Sequence, residues 1–152
     1  MSDNEQAPEP GTPRLIREAR LDDVPAMLGF DAYAQSHASR GQALGEAVGR
    51  GQLWVEVVCD RIAGYVLLNH DFFDQGFVSL VVVAPGQQRQ GVAQRLLVAA
   101  EKACRTSKLF TSTNRSNLAA QGLLAKAGFR PSGVVENLDE NDPELIFFKA
   151  VR

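Results

Sequence analysis

At 152 residues, 45% of them apolar and 22% charged, the chain has the size and composition of a globular domain that needs no disulfide or metal staple. A net charge of −2 and a pI near 5.7 give no electrostatic footprint for nucleic acid. No apolar run approaches the roughly 18 residues that span a bilayer, so neither a nucleic-acid nor a membrane partner is expected.

The opening "MSDNEQAPEPGTP" is polar and acidic and lacks the apolar stretch of a secretory signal. It predicts a disordered tail over residues 1–12 and a single domain over 13–152. Arg14 to Ala19 alternate as a half-buried strand does. A helix follows, capped by Asp22 or Asp23, with Pro25 in its first turn and Val24, Met27 and Leu28 at helical spacing. A weaker helix covers Ser39 to Gly49. "LWVEVV" and "IAGYVLLN" are strands joined in a hairpin at Cys59-Asp60-Arg61, and "HDFFDQG" reads as a loop. "FVSLVVVAP" is valine-rich and apolar almost throughout, the pattern of a strand buried on both faces. From Gln90 to Arg105 the helix is amphipathic, with Val92, Leu96, Leu97, Ala100 and Cys104 on one face. "LFTST" is a short strand. The helix after it has Ser116 or Asn117 near its cap and Gly128 as its stop. "FRPSGVVEN" and "ELIFFKAV" are strands flanking the acidic turn "LDENDP". The order is β-α-α-β-β-β-α-β-α-β-β, a mixed α/β domain. Cys59 and Cys104 have no metal-ligand neighbours, and His37 and His70 fall in no zinc pattern. Reduced thiols in a cytoplasmic, metal-free protein are the expectation.

The stretch "APGQQRQGVAQRLL" carries the first functional signal. Gly86 and Gly91 have the spacing of a nucleotide-triphosphate loop, but Val92 and Ala93 replace its lysine and hydroxyl. A strand-to-helix turn that needs glycine is one reading. The other is an anion cradle, because the first amides of a helix lack intrahelical acceptors and carry the positive end of its dipole. Arg89 and Arg95 can add charge.

In context the sequence resembles the GNAT family of N-acetyltransferases, which use acetyl-CoA. The family's strand, P-x-x-[RQ]-x-x-G-x-[GA] and helix stand here as "VSLVVVAPGQQRQGVAQRLL", with Pro85, Gln88, Gly91 and Ala93 in place. Its N-x-x-A and later G-F stand as Asn117, Ala120, Gly128 and Phe129. The opening "LIREARLDDVPAML" and the order of elements also match, so the resemblance runs from Arg14 to Val151. It implies a mostly antiparallel seven-stranded sheet with helices on both faces and splayed central strands. The CoA pyrophosphate would sit on the amides of Gln88, Arg89, Gln90, Gly91, Val92 and Ala93. Pantetheine would pair with backbone of Val81, Val82 and Val83, and Asn117 would touch the cofactor from the following helix.

Acetyl transfer from a thioester to an amine requires a neutral amine, a stabilised oxyanion and a leaving thiolate. The Val83 amide is the candidate oxyanion donor. Many relatives place a tyrosine acid where this chain has Leu124, and the stretches that carry a glutamate base elsewhere hold no acid here. Water relayed through Ser112 or Asn114 is one substitute; Tyr33, His37, Tyr65 and His70 are others. From Glu136 to Glu144 five acids, Glu136, Asp139, Glu140, Asp142 and Glu144, stand without a base. They read either as a solvated turn or, with Glu136, Asp139 and Glu140 foremost, as carboxylates that attract a cationic amine and accept its proton. The function expected is N-acetylation of a primary amine of a small molecule or peptide. A non-catalytic acetyl-CoA-binding sensor is the alternative, and a nucleotide-binding regulator a weaker third. The strand "LIFFK" is a candidate for pairing across a homodimer.

Overall fold

The computed structural model describes residues 7–152. The chain forms β1 (Arg14–Glu18), a 3-10 turn (Leu21–Asp23), α1 (Val24–Phe30), α2 (Ser39–Gly49), β2 (Leu53–Val58), β3 (Arg61–Phe72) and β4 (Gln75–Val83). It continues as α3 (Val92–Ala103), β5 (Lys108–Asn114), α4 (Leu118–Lys126), β6 (Arg130–Val135) and β7 (Glu144–Ala150). Seven strands are hydrogen-bonded in the order β1-β2-β3-β4-β5-β7-β6. The β4–β5 pair is parallel, whereas β1–β2, β2–β3, β5–β7 and β6–β7 are antiparallel. The mixed, mostly antiparallel sheet agrees with the expectation from sequence. The tail expected over 1–12 lies outside the described residues for its first six positions. In the rest of it, the Thr12 amide and hydroxyl both donate to Glu9 O, closing a turn.

The chain divides into two compact units, the first running through Leu67 and resuming at Leu80–Ala99, the second made of Leu68–Ser79 and Ala100–Arg152. In the first unit Met27 of α1 and Leu44 and Ala47 of α2 bury against Leu53, Val55, Tyr65 and Leu67 of β2 and β3. The alternation of these strand positions follows from the two-residue pleat. Leu80 and Val82 of β4 join the same cluster. On the opposite face, a Cβ built on Gly64 would lie 3.0 Å from Val92 Cγ1 and 3.2 Å from Leu96 Cδ1. The missing side chain lets α3 settle onto the strand, so this unit carries helices on both faces of its sheet.

Asp31, Arg40 and Tyr65 form a polar trio at this core. Tyr65, with no exposed surface, donates its hydroxyl to Asp31 Oδ2 at 2.5 Å. Asp31 ends α1, and Arg40 in the first turn of α2 stands 3.7 Å from the same oxygen. Burial, and then the bond to Asp31, push the Tyr65 phenol well above its ordinary range. Tyr65 therefore anchors the start of the α1–α2 connection and is shut off from any substrate.

In the second unit, "HDFFDQG" is not a loop. β3 runs on to Phe72, the chain reverses at Phe73 and Asp74 (φ 50° and 62°), and β4 starts at Gln75. Two consecutive left-handed residues make the two-residue turn that matches strand twist. His70 and Asp71 break the apolar pattern, but Phe72 stacks on Phe77 at 5.1 Å and lies 5.0 Å from Phe110, which fixes the pairing. Gly76 is buried here, and a Cβ on it would overlap Cys104 Sγ. Past the end of α4 the chain turns at Gly128 (φ 93°), where Lys149 Nζ donates to Ala127 O at 2.7 Å and to Glu101 Oε1 at 2.5 Å. The orphan carbonyl of a helix end thus meets a cation.

Removing the Tyr65 hydroxyl leaves the buried Asp31 carboxylate one donor short. Tyr65→Phe is expected to lower unfolding free energy by about 1–3 kcal/mol, measured by urea denaturation with an unchanged slope.

Candidate active site

β4 ends at Val83, and the Ala84 amide donates to Ala63 O at 2.8 Å, keeping Ala84 turned toward β3. Strand alternation then turns Val82 to β3 as well. Consistently, a Cβ on Gly64 would stand only 2.7 Å from Val82 O. Val81 and Val83 present their backbone N–H and C=O groups to the other edge, where β4 is the last strand of the first unit. The parallel register with β5 joins Gly76, Phe77 and Val78 to Leu109, Phe110 and Thr111. One expectation changes here: the valine run is not buried on both faces, because Leu80 to Val83 are each only half-buried.

Beyond Pro85 the chain makes three left-handed steps, Gly86 (φ 84°), Arg89 (φ 63°) and Gly91 (φ 77°), before α3 begins. Gln87 N–H closes the first turn on Ala84 O at 3.0 Å. A second turn follows at Gln88 and Arg89, and among the described residues no amide from Gly91 to Ala93 donates to a backbone carbonyl. The last of these belong to the first turn of α3, whose dipole adds about half a positive charge at its start. Gly91 has a second reason to be glycine, since a Cβ there would lie 2.8 Å from Arg95 Nη1.

Beneath this loop is a charged group that sequence reading missed. Glu56 of β2 is wholly buried. Its Oε1 accepts from Arg95 Nε at 2.5 Å, and its Oε2 accepts from Arg95 Nη2 at 3.1 Å and Arg14 Nη1 at 2.9 Å. Each arginine has a donor left over for Gln90. Arg95 Nη1 donates to Gln90 O at 2.8 Å, and Arg14 Nη2 to Gln90 Oε1 at 2.5 Å. Gln90 Nε2 in turn donates to Gly86 O at 3.2 Å. The bond to Glu56 raises the Arg95 pKa above its already high ordinary value. Arg95, expected to supply loose charge, is thereby committed to holding the loop. The available signal was a glutamate inside the apolar run "LWVEVV", because a buried charge requires partners.

Ser112, Asn114, Asn117, Glu136, Asp139 and Glu140 belong to the second unit. Ser112 and Asn114 lie on β5 opposite Ile146 and Glu144. Asn114 Nδ2 donates to Asp139 Oδ2 at 2.8 Å and to Asp142 O at 3.3 Å, so it braces the acidic turn. Asp142 accepts from Ser116 Oγ at 2.6 Å and from Ser116 N–H at 3.0 Å. The serine hydroxyl, and then the amide, hold its carboxyl below the usual carboxylate range. Glu136 and Glu140 are exposed on the same turn, which encloses a concavity of about 580 Å³ between Glu136 and Pro143. Asn117 is the N-cap of α4, its Oδ1 accepting from Ala120 N–H at 3.0 Å. Leu124, at the position of the family's tyrosine, is buried in the core.

The remaining substitutes for an acid or base have structural partners. His70 Nε2 accepts from the Arg105 amide at 3.0 Å, and burial, with Arg105 nearby, lowers its pKa. Tyr33 and His37 stack on each other at 3.6 Å in the exposed α1–α2 connection.

Residues 16–129 match the profile of the acetyltransferase (GNAT) family. A GNAT-family acetyltransferase from Bacillus cereus ATCC 10987 is 33% identical and superposes with a TM-score of 0.85, over 91% of this chain and 97% of that one. Two more distant structures share the fold. One is yncA from Salmonella typhimurium, solved with its cofactor acetyl-CoA (17% identity, TM-score 0.73, 91% and 94% of the two chains). The other is a ribosomal-protein-alanine N-acetyltransferase from Brucella melitensis (20%, TM-score 0.71, 90% and 99%). No curated protein sequence matches the chain.

The Asn117 cap gives a direct check on the local geometry. Asn117→Ala is expected to cost about 1 kcal/mol of stability, read from thermal or urea unfolding, whereas Asn117→Asp retains most of the cap.

Proposed function

The chain belongs to the GNAT family of acetyltransferases and uses acetyl-CoA as its acetyl donor, and from that premise we propose that its acceptor is a primary amine of a small molecule or peptide. We place the CoA pyrophosphate on the amides of Gln88 to Ala93. The observation that carries this reading is the start of α3, where the Gly91, Val92 and Ala93 amides have no backbone acceptor. Pantetheine then extends β4 as an added strand, pairing with Val81 and Val83 and covering the half-buried valines. The Val83 amide is the donor for the thioester oxygen as it gains negative charge.

In the reaction the amine nitrogen attacks the thioester carbonyl carbon, the C–S bond breaks, and an amide and CoA thiolate result. A thiol of pKa near 8.5 is a competent leaving group without an acid, which fits a buried leucine at position 124. The amine must arrive neutral. No protein base is assigned, so the proton goes to water and the acceptor's own pKa governs the reaction. Glu136 and Glu140, exposed and close to the braced Asp139, favour approach of a cationic acceptor.

Two measurements test this reading. Release of free CoA thiol should occur with primary amines in a panel and not with alcohols, and kcat/KM should climb about tenfold per pH unit toward the acceptor's pKa. A plateau at the same pH for amines of different pKa would show that a protein base exists. Replacing the turn acids together (Glu136→Gln, Asp139→Asn, Glu140→Gln) should raise KM for a cationic amine roughly threefold to tenfold at low salt, with less effect at high salt. Unchanged amine affinity would remove the acidic turn from acceptor recognition.

A further inference from the structure

We infer that Glu56 is a positioning residue for the acetyl donor: through Arg14 and Arg95 it latches the Gly86–Gly91 loop in the shape that receives the CoA pyrophosphate. This rests on the proposed placement of pyrophosphate on Gln88 to Ala93. The geometry carries it in three steps. First, both oxygens of a buried carboxylate are engaged by two guanidinium groups, Arg95 through two nitrogens and Arg14 through one. A fork held in this way is fixed in orientation as well as in place. Second, the nitrogens left over by both arginines converge on one residue, Gln90, at its carbonyl and its side-chain oxygen. Third, the Gln90 amide group reaches back to Gly86 O, so the two ends of the loop are tied through a single side chain.

The loop needs such a hold. Arg89 adopts a left-handed conformation without being glycine, and the Gly91, Val92 and Ala93 amides have no backbone acceptors to fix their direction. An anion gains most from donors that already point at it, because no ordering cost remains at binding. The latch also sets charge. Two guanidinium groups and one carboxylate leave one net positive charge under the loop.

Latch and charge make opposite predictions for Glu56→Gln. Removing the carboxylate raises the net positive charge beneath the loop, which by attraction alone would tighten binding of a pyrophosphate. The same change leaves one acceptor oxygen in place of two and sets an amide NH2 against a guanidinium, which by loss of preorganisation weakens it.

The experiment is calorimetric titration of the full-length protein with acetyl-CoA and with S-acetylpantetheine, which keeps the thioester arm and lacks the phosphates. The wild type should bind acetyl-CoA more tightly than the truncated donor. Glu56→Gln should weaken acetyl-CoA binding roughly tenfold to a hundredfold and leave S-acetylpantetheine affinity unchanged. A merely structural role would weaken both donors alike. Gln90→Ala is a charge-neutral second variant at the loop surface, and it should weaken acetyl-CoA alone by roughly threefold to tenfold; it decides the matter if Glu56→Gln does not fold. Acetyl-CoA affinity equal to or above wild type in folded Glu56→Gln, or in Gln90→Ala, overturns the latch. Equal affinity of the wild type for the two donors overturns the pyrophosphate placement itself, and the latch with it.

Discussion

A carboxylate sealed from water must find its counter-charges inside the protein, and Glu56 finds two. That single constraint draws Arg14 from the first strand and Arg95 from the third helix onto one strand position. Its consequence reaches the loop, because an arginine has more donors than one carboxylate can take. The surplus donors fall on Gln90, and Gln90 falls on Gly86. A buried charge that would otherwise be a liability thus orders a segment with three left-handed residues. Gly91 completes the arrangement, since any side chain there would occupy the space of the Arg95 guanidinium.

The second organising feature is a pairing that stops. β4 and β5 are joined through Val78 and Thr111, where the Thr111 hydroxyl also donates to Val78 O at 2.8 Å. Past that point the strand keeps β3 on one side and shows an edge on the other. A strand edge offers donors and acceptors in alternation, and one flanked by half-buried valines suits an extended ligand that carries its own amides. The pantetheine arm of CoA is such a ligand. The chemistry then asks little of acid and base groups: the thioester supplies a good leaving group, and much of the barrier can be met by orientation and oxyanion stabilisation.

Local patterns were legible in the sequence, and long-range pairings were not. The Pro85–Ala93 segment could be read because glycine and proline act on their own neighbours, and the same holds for α2, whose bounds match those expected, and for the Gly128 stop of α4. The local pattern predicts a loop at the β3–β4 hairpin because His70 and Asp71 interrupt the alternation, while the stabilising contact is Phe72 on Phe77. The valines of β4 have the composition of a buried central strand, yet Leu80 to Val83 are each only half-buried. Glu56 meets its arginines 42 and 39 positions away, beyond the reach of any local pattern. Asn117 and Asn114 were assigned to ligand chemistry, and both have structural bonds as well, to a helix cap and to the acidic turn.

Placement of the CoA pyrophosphate on the loop amides is the claim from which the donor geometry follows. It is tested most directly by recording amide resonances of the ¹⁵N-labelled protein during titration with acetyl-CoA and with S-acetylpantetheine. The predicted result is that acetyl-CoA shifts the amides of Gln88 to Ala93 together with those of Val81 and Val83, whereas the phosphate-free donor shifts only the strand pair. Loop amides that stay in place when acetyl-CoA saturates the protein would contradict it.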